Sequence, residues 1–197
     1  MTSGHGRNPG MGSEERAVTG AVTVQAETQA DCAAVAAMHI ASWRAAYAGI
    51  VPDAVLAALD VEQRARERAQ RLTADNPFTN LIAVDGGGPV GWVCFGPYRA
   101  QGHRPDGELD GRVGEILALY VHPDRWGTGV ADALIGAALA GLPQPLVRLW
   151  ALTDNVRALR FYARHGLVPD GTHSTFRPRG SDVDIPELRC ALVREIG

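Results

Sequence analysis

Apolar residues recur along this chain in two rhythms, and the switches between them mark out its elements. Ala21 to Glu27 (AVTVQAE) alternates as a strand does. From Asp31, an N-cap residue, to about Ala48 the spacing is helical, with Gly49 as the stop. Pro52-Asp53 opens a second helical region, broken near Asp60 and continuing to Leu72. Residues 76–80 read as a connection. Leu81 to Val84, the turn Asp85-Gly86-Gly87-Gly88 and Val90 to Phe95 form an antiparallel hairpin by their turn chemistry. Residues 99–113 are polar and glycine-punctuated, and read as a mobile loop. Glu115 to Val121 is strand-like and ends at His122-Pro123, since proline lacks a ladder N–H and holds its predecessor extended. Val130 to Ala140 has helix spacing and stops before Pro143 and Pro145. Leu146 to Leu152 reads as a buried strand. A helix follows, capped by Asp154 or Asn155 and stopped at Gly166, and then two strand candidates, Thr172 to Phe176 and Glu187 to Val193. Strands alternate with helices in the middle of this order and pair antiparallel at its ends. The fold class is therefore α/β, of the α+β kind, with a mixed and mostly antiparallel sheet flanked by helices.

Residues 1–20 show no periodicity and read as a flexible N-terminal tail, within which Met11 is an alternative start. Residues 21–197 are most simply a single domain, long enough to bury a substantial core. Hydrophobic residues make up 46% and charged residues 21%, as in an ordinary soluble protein. A formal charge of −3 supplies no basic excess for nucleic acid. No apolar run approaches the roughly 20 residues of a membrane span, and no hydrophobic signal core opens the chain. Three scattered cysteines, Cys32, Cys94 and Cys190, read as reduced thiols. Together these features place the protein in the cytoplasm. No histidine–cysteine spacing announces a metal site.

The candidate chemistry centres on Gly114 to Asp132. A strand, the turn Gly127-Thr128-Gly129 and a helix N-terminus bring unpaired N–H groups and the positive end of a helix dipole to one place, where glycine lets an anion approach the backbone. His39, Trp43 and Tyr47 recur every four residues on the first helix. They form either a face packed on the core or one wall of a substrate pocket. The arginine-dense run Arg64, Arg66, Arg68 and Arg71, mixed with Glu62 and Glu67, reads as a solvated, salt-bridged surface.

The element order and two segments resemble the GNAT (GCN5-related N-acetyltransferase) superfamily, over residues 22–193. Trp126-Gly127-Thr128-Gly129-Val130-Ala131 resembles the family's pyrophosphate loop, Gln/Arg-x-x-Gly-x-Gly/Ala, with Trp126 in the opening place and Arg125 just before it. Asn155 to Leu167 (NVRALRFYARHGL) resembles its N-x-x-A-x-x-F-Y-x-x-x-G-F segment. Asn155 and Tyr162 share a helix face there, about 10 Å apart along the axis.

The resemblance implies acetyl-CoA as acyl donor and a primary amine, on a small molecule or a peptide N-terminus, as acceptor. Transfer would be direct, by an N-acetyltransferase of the acyltransferase class. The cofactor would lie against Leu119, Tyr120, Val121, residues Trp126 to Asp132 (Thr128 and Val130 included) and Asn155. Glu115 matches the family's general base, and its alternative is a strand-end salt bridge. Alternation would set Glu115, Leu117, Leu119 and Val121 on one face and Ile116, Ala118 and Tyr120 on the other. Tyr162 would protonate the leaving thiolate, and the amine is expected beside His39, Trp43, Tyr47 and Trp92, with Tyr98 and Arg99 near. No metal, nucleic acid or membrane enters, and exposed edge strands leave room for a homodimer. Two rivals are a non-catalytic acyl-CoA sensor with this fold and a Rossmann-type nucleotide binder. The latter is opposed by Asp132 at the third glycine place and by the antiparallel hairpin upstream.

Overall fold

The two rhythms resolve into one sheet with helices on both faces. In the computed structural model, which describes residues 22–100 and 108–194, the strands are β1 (Thr23–Ala26), β2 (Thr79–Asp85), β3 (Gly88–Arg99), β4 (Leu109–Val121), β5 (Leu146–Leu152), β6 (Val168–Phe176) and β7 (Ile185–Val193). The helices are α1 (Cys32–Ala46), α2 (Asp53–Ala57), α3 (Val61–Arg71), α4 (Val130–Gly141) and α5 (Val156–Arg164). The seven strands lie in the order β1-β2-β3-β4-β5-β7-β6. All neighbours are antiparallel except β4 and β5. One parallel pair in such a sheet is incompatible with a Rossmann unit, whose strands run parallel.

Adjacent β2 residues show the two-sided core. Ile82 packs with Val35, Met38 and Trp92 under α1, whereas Ala83 packs with Val93, Ile116, Leu134 and Ile135 under α4. Helix α4 sits very close to the sheet. A Cβ on Gly91 would fall 2.8 Å from Leu134 Cδ1 and 3.0 Å from Val130 Cγ1, so only glycine admits the helix there.

Several elements differ from their sequence reading. The run 99–113 is strand at both ends, because Arg99 pairs with Leu109 and Tyr98 with Asp110; its residues 101–107 lie outside the described residues, as does the tail at 1–20. Strand β6 starts at Val168, and a register break between Pro169 and His173 explains why that start resembles a turn. Asp31 stands at the N-cap position of α1 as expected, but its carboxylate caps no N–H of that helix and instead accepts the Thr28 N–H at 2.9 Å and the Thr28 hydroxyl at 2.6 Å. In β4 an extra residue, Leu117, sits opposite the step between Cys94 and Phe95, a β-bulge. The bulge reverses alternation, so Glu115 shares a face with Ala118 and Tyr120 and not with Leu119 and Val121.

The arginine run on α3 is only partly a solvated face. Arg68 is buried against Glu27, its Nε donating to one carboxylate oxygen and its Nη2 to the other at 2.7 Å, while its guanidinium lies 3.9 Å over the Trp92 ring. Removing one member would strand a buried charge. The substitution Glu27→Ala is therefore expected to lower unfolding free energy by about 3–5 kcal/mol in urea titration, and the double change Glu27→Met/Arg68→Met by clearly less.

Candidate active site

The cleft originates where β4 and β5 part. They share only the pairs Val113–Leu146, Gly114–Val147 and Glu115–Arg148. Beyond these, β4 continues to Val121 and β5 to Leu152 without pairing. Between them opens a cavity of about 470 Å³ that extends along the 125–132 loop and α5. Along residues 116–121 the backbone groups on the β5 side have no strand partner. One of this stretch's carbonyls, that of Val121, accepts the Trp126 indole N–H at 2.9 Å.

The glycine loop closes one end. Gly127 and Gly129 have φ of 78° and 87°, a region costly for any residue with a Cβ, and nothing lies within 4 Å of where such a Cβ would stand. The first helical bond of α4 runs from the Ala133 N–H to the Gly129 carbonyl, so the N–H groups of Val130, Ala131 and Asp132 have no acceptor within the helix. Gly127, Gly129, Ala131 and Asp132 border the cleft. Val130 is buried, leaving only its backbone for a ligand, and the Thr128 hydroxyl donates to the Arg125 carbonyl at 2.8 Å. Arg157 lies 3.3 Å over the Trp126 ring, Arg125 pairs with Asp85, and Asp132 meets His165 Nε2 at 3.0 Å. With Arg164 also bordering the cleft, three guanidiniums and a row of N–H groups face this end. The arrangement suits a diphosphate.

Asn155 and Tyr162 both reach the cleft, as their spacing implied. Asn155 caps α5, its Oδ1 accepting the Ala158 N–H at 3.2 Å. Tyr47 and Tyr120 meet across the cavity, hydroxyl to hydroxyl, at 3.3 Å. Burial raises the pKa of Tyr47, Tyr120 and Tyr162, which keeps all three protonated at neutral pH. Glu115, in contrast, is not among the residues bordering the cleft. It is 2% exposed and held by Arg99, which donates from Nη2 at 2.6 Å, from Nε at 3.1 Å and from its backbone N–H at 2.9 Å. A carboxylate so paired is poorly placed to take a proton from an amine. Among the described residues, Asp132 is the one carboxylate bordering the cleft, at its opposite end.

The expected acceptor residues divide. Tyr47 lines the cleft, and Trp43 lines a second cavity nearby. Trp92 is core, donating its Nε1 hydrogen to Asn80 at 3.1 Å. Tyr98 is also buried, and its hydroxyl accepts from Arg189 at 3.1 Å. His39 is buried within a ring cluster, 4.4 Å from Tyr120, 5.1 Å from Trp92 and 6.1 Å from Trp43, and neither ring nitrogen has a hydrogen-bond partner. Residues missed in the sequence include Ser42 of α1, Trp150 of β5 and the cations Arg157 and Arg164. The two arginines were visible as a basic stripe seven residues apart on α5, the helix that presents Asn155 and Tyr162.

Residues 34–167 match the family model described as acetyltransferase (GNAT) family. A probable N-acetyltransferase of Mycobacterium tuberculosis is 30% identical over 178 residues, which cover 88% of this chain and 94% of that protein. The fold is similar to that of the PaiA N-acetyltransferase from Thermoplasma acidophilum in complex with coenzyme A, with a TM-score of 0.64 at 16% identity over 88% of this chain and 99% of that one. It is also similar to YncA of Salmonella typhimurium, a structure holding acetyl-CoA, with a TM-score of 0.61 at 16% identity over 89% and 95%.

His39 makes one solution property predictable. Burial, reinforced by the positive charges of Arg64 and Arg68, pushes its pKa well below the ordinary value near 6.5. Below that pH the unfolded chain binds a proton at His39 that the folded chain refuses, so acid favours unfolding. Stability is expected to fall, from this residue alone, by at most about 1.4 kcal/mol per pH unit below pH 6.5. Urea titrations at stepped pH should show a shallower slope for His39→Phe.

Proposed function

Because the chain belongs to the acetyltransferase (GNAT) family, we propose that it moves an acetyl group from acetyl-CoA to the nitrogen of a primary amine by direct transfer. The observation that carries this reading is the parting of β4 and β5. It leaves a strand edge open along residues 116–121 that leads into the Gly127–Asp132 turn. Acetyl-CoA supplies an activated thioester and a diphosphate anchor. The N–H groups of Val130 to Asp132 and the Arg157 guanidinium hold the diphosphate end, with Arg157 providing the side-chain donor that the family's Gln or Arg supplies from the place occupied here by Trp126. Asn155 and the free edge of Leu119 to Val121 hold the extended arm by amide hydrogen bonds. A backbone N–H on that edge stabilises the carbonyl oxygen as it becomes an oxyanion.

The amine nitrogen attacks the carbonyl carbon, forming a C–N bond as the C–S bond breaks. Its surplus proton leaves through water in the cleft, since Glu115 is engaged by Arg99 and the three phenols are protonated. Tyr162 borders the same space. With its pKa raised above that of an ordinary thiol, near 8.5, full proton transfer to the thiolate is uphill. Tyr162 acts instead by donating a hydrogen bond to the departing sulfur, and solvent completes the protonation. Glu115 and Arg99 serve as a positioning pair that fixes the end of β3 against the middle of β4.

The test is thiol release from acetyl-CoA in the presence of an amine panel, with coenzyme A affinity measured in parallel. Binding without release would leave a sensor, and absence of both would end the reading. Tyr162→Phe is expected to lower kcat about 10²-fold at unchanged KM for acetyl-CoA. Arg157→Gln should raise that KM about tenfold at nearly unchanged kcat. Glu115→Gln should change kcat less than Tyr162→Phe does; a larger loss in a folded variant would return the base role to Glu115.

A further inference from the structure

A second cavity, of about 850 Å³, lies between α2–α3 and the β6–β7 connection, bordered by Trp43, Arg64, Arg71, Phe176 and Arg179. Arg64 stands apart from its neighbours. Arg68 is committed to Glu27, Arg177 to Asp184 and Arg179 to Glu67. Among the described residues the Arg64 guanidinium makes no hydrogen bond and no ion pair, while its backbone N–H donates to the Asp60 carbonyl at 3.1 Å. Glu67 attracts it, but that carboxylate already accepts from Arg179 at 3.0 Å and from Gln63 at 3.1 Å. The Arg64 side chain is half-buried, and burial lowers its pKa. A guanidinium carries five donors in a planar fork, and withdrawing it from water with none of them used is costly unless an acceptor arrives.

The position of Arg64 ties it to the transfer cleft. Its charge acts on Tyr120, a cleft residue, and on His39 behind it. Trp43 stands 6.1 Å from Phe176 in the second cavity, 5.0 Å from Tyr47 and 6.3 Å from Tyr120 in the first. The two spaces therefore lie on either side of this row of rings. We propose that the second cavity is the acceptor subsite and that it selects amines carrying an oxyanion, a carboxylate or phosphonate bound by the Arg64 fork while the amine nitrogen lies beyond Trp43 at the thioester. This deepens the acetyltransferase reading and rests on it. Arg71 at the rim favours the same sign of charge, the carboxylates Glu67 and Asp60 that also border the cavity are engaged by Arg179 and by the Gln63 N–H, and the rings accommodate the carbon skeleton between the two polar ends.

The experiment compares matched amines whose two polar ends are separated by a carbon chain: ω-amino acids of increasing length, their carboxamides and the corresponding ω-aminoalkylphosphonates. Each is assayed for acetyl transfer and, at saturating coenzyme A, for thermal stabilisation of wild type, Arg64→Gln and Arg64→Lys. Wild type is expected to prefer an oxyanion-bearing amine over its carboxamide by about tenfold or more in kcat/KM. Arg64→Gln should abolish that preference through KM while leaving transfer to carboxamides unchanged, and Arg64→Lys should keep part of it. The carboxylate and phosphonate arms identify which oxyanion fits. Equal use of acids and carboxamides by wild type, or an undiminished preference in Arg64→Gln, overturns the proposal. If Arg64→Gln does not fold, the wild-type comparison and Arg64→Lys decide. Failure to bind coenzyme A would instead end the acetyltransferase reading. Stabilisation by amino acids over carboxamides, and its loss in the variants, still judges the cavity in that case.

Discussion

The whole arrangement depends on a parallel strand pair that is allowed to form for three residues and then denied. Strands β4 and β5 are joined through α4 and pair only from Val113–Leu146 to Glu115–Arg148. Immediately past their last shared pair, at Leu117, the extra residue of the bulge increases the local twist and bends β4. The backbone groups released there are too polar to be left in a dry interior, so the gap has to face solvent or a ligand. Every other feature of the site is arranged around that opening: the glycine turn at one end, α5 along its side, α1 and its rings at the other.

Charge is handled differently in the two halves. Where the chain needs rigidity it buries complete pairs, Glu27 with Arg68 and Glu115 with Arg99, so no net charge is stranded. Where ligands are proposed to bind it leaves donors uncommitted, namely the amides of α4 and the guanidiniums of Arg157 and Arg64. A slightly acidic protein thus presents strongly basic recesses, and the net charge of −3 conceals them.

Much of this was legible in the sequence, and for definite reasons. Glycines in a strand–turn–helix setting and the Asn155–Tyr162 spacing are local signals, and local geometry decides what they do. What sequence concealed was set by partners distant along the chain. Arg68 resembles a surface residue until Glu27, 41 positions away, is brought beside it. The bulge at Leu117 depends on register with β3, and it turned Glu115 from an expected base facing the cleft into half of a buried ion pair. His39 satisfied its spacing with Trp43 and Tyr47, yet both it and the candidate Trp92 are buried. Arg157 was overlooked because the quoted motif leaves its place unspecified, and its role appears only when Trp126 lies beneath it.

Trp126 has a consequence of its own. Its indole is pinned to the end of β4 and capped by a side chain from α5, so three segments proposed to handle opposite ends of one long ligand are mechanically joined. The loop proposed to grip the phosphates therefore cannot drift independently of the strand proposed to hold the thioester. A glutamine or arginine in that position would reach outward to the ligand. The tryptophan reaches inward, exchanging one direct contact for a stiffer frame, so that less conformational freedom remains to be lost when the ligand docks.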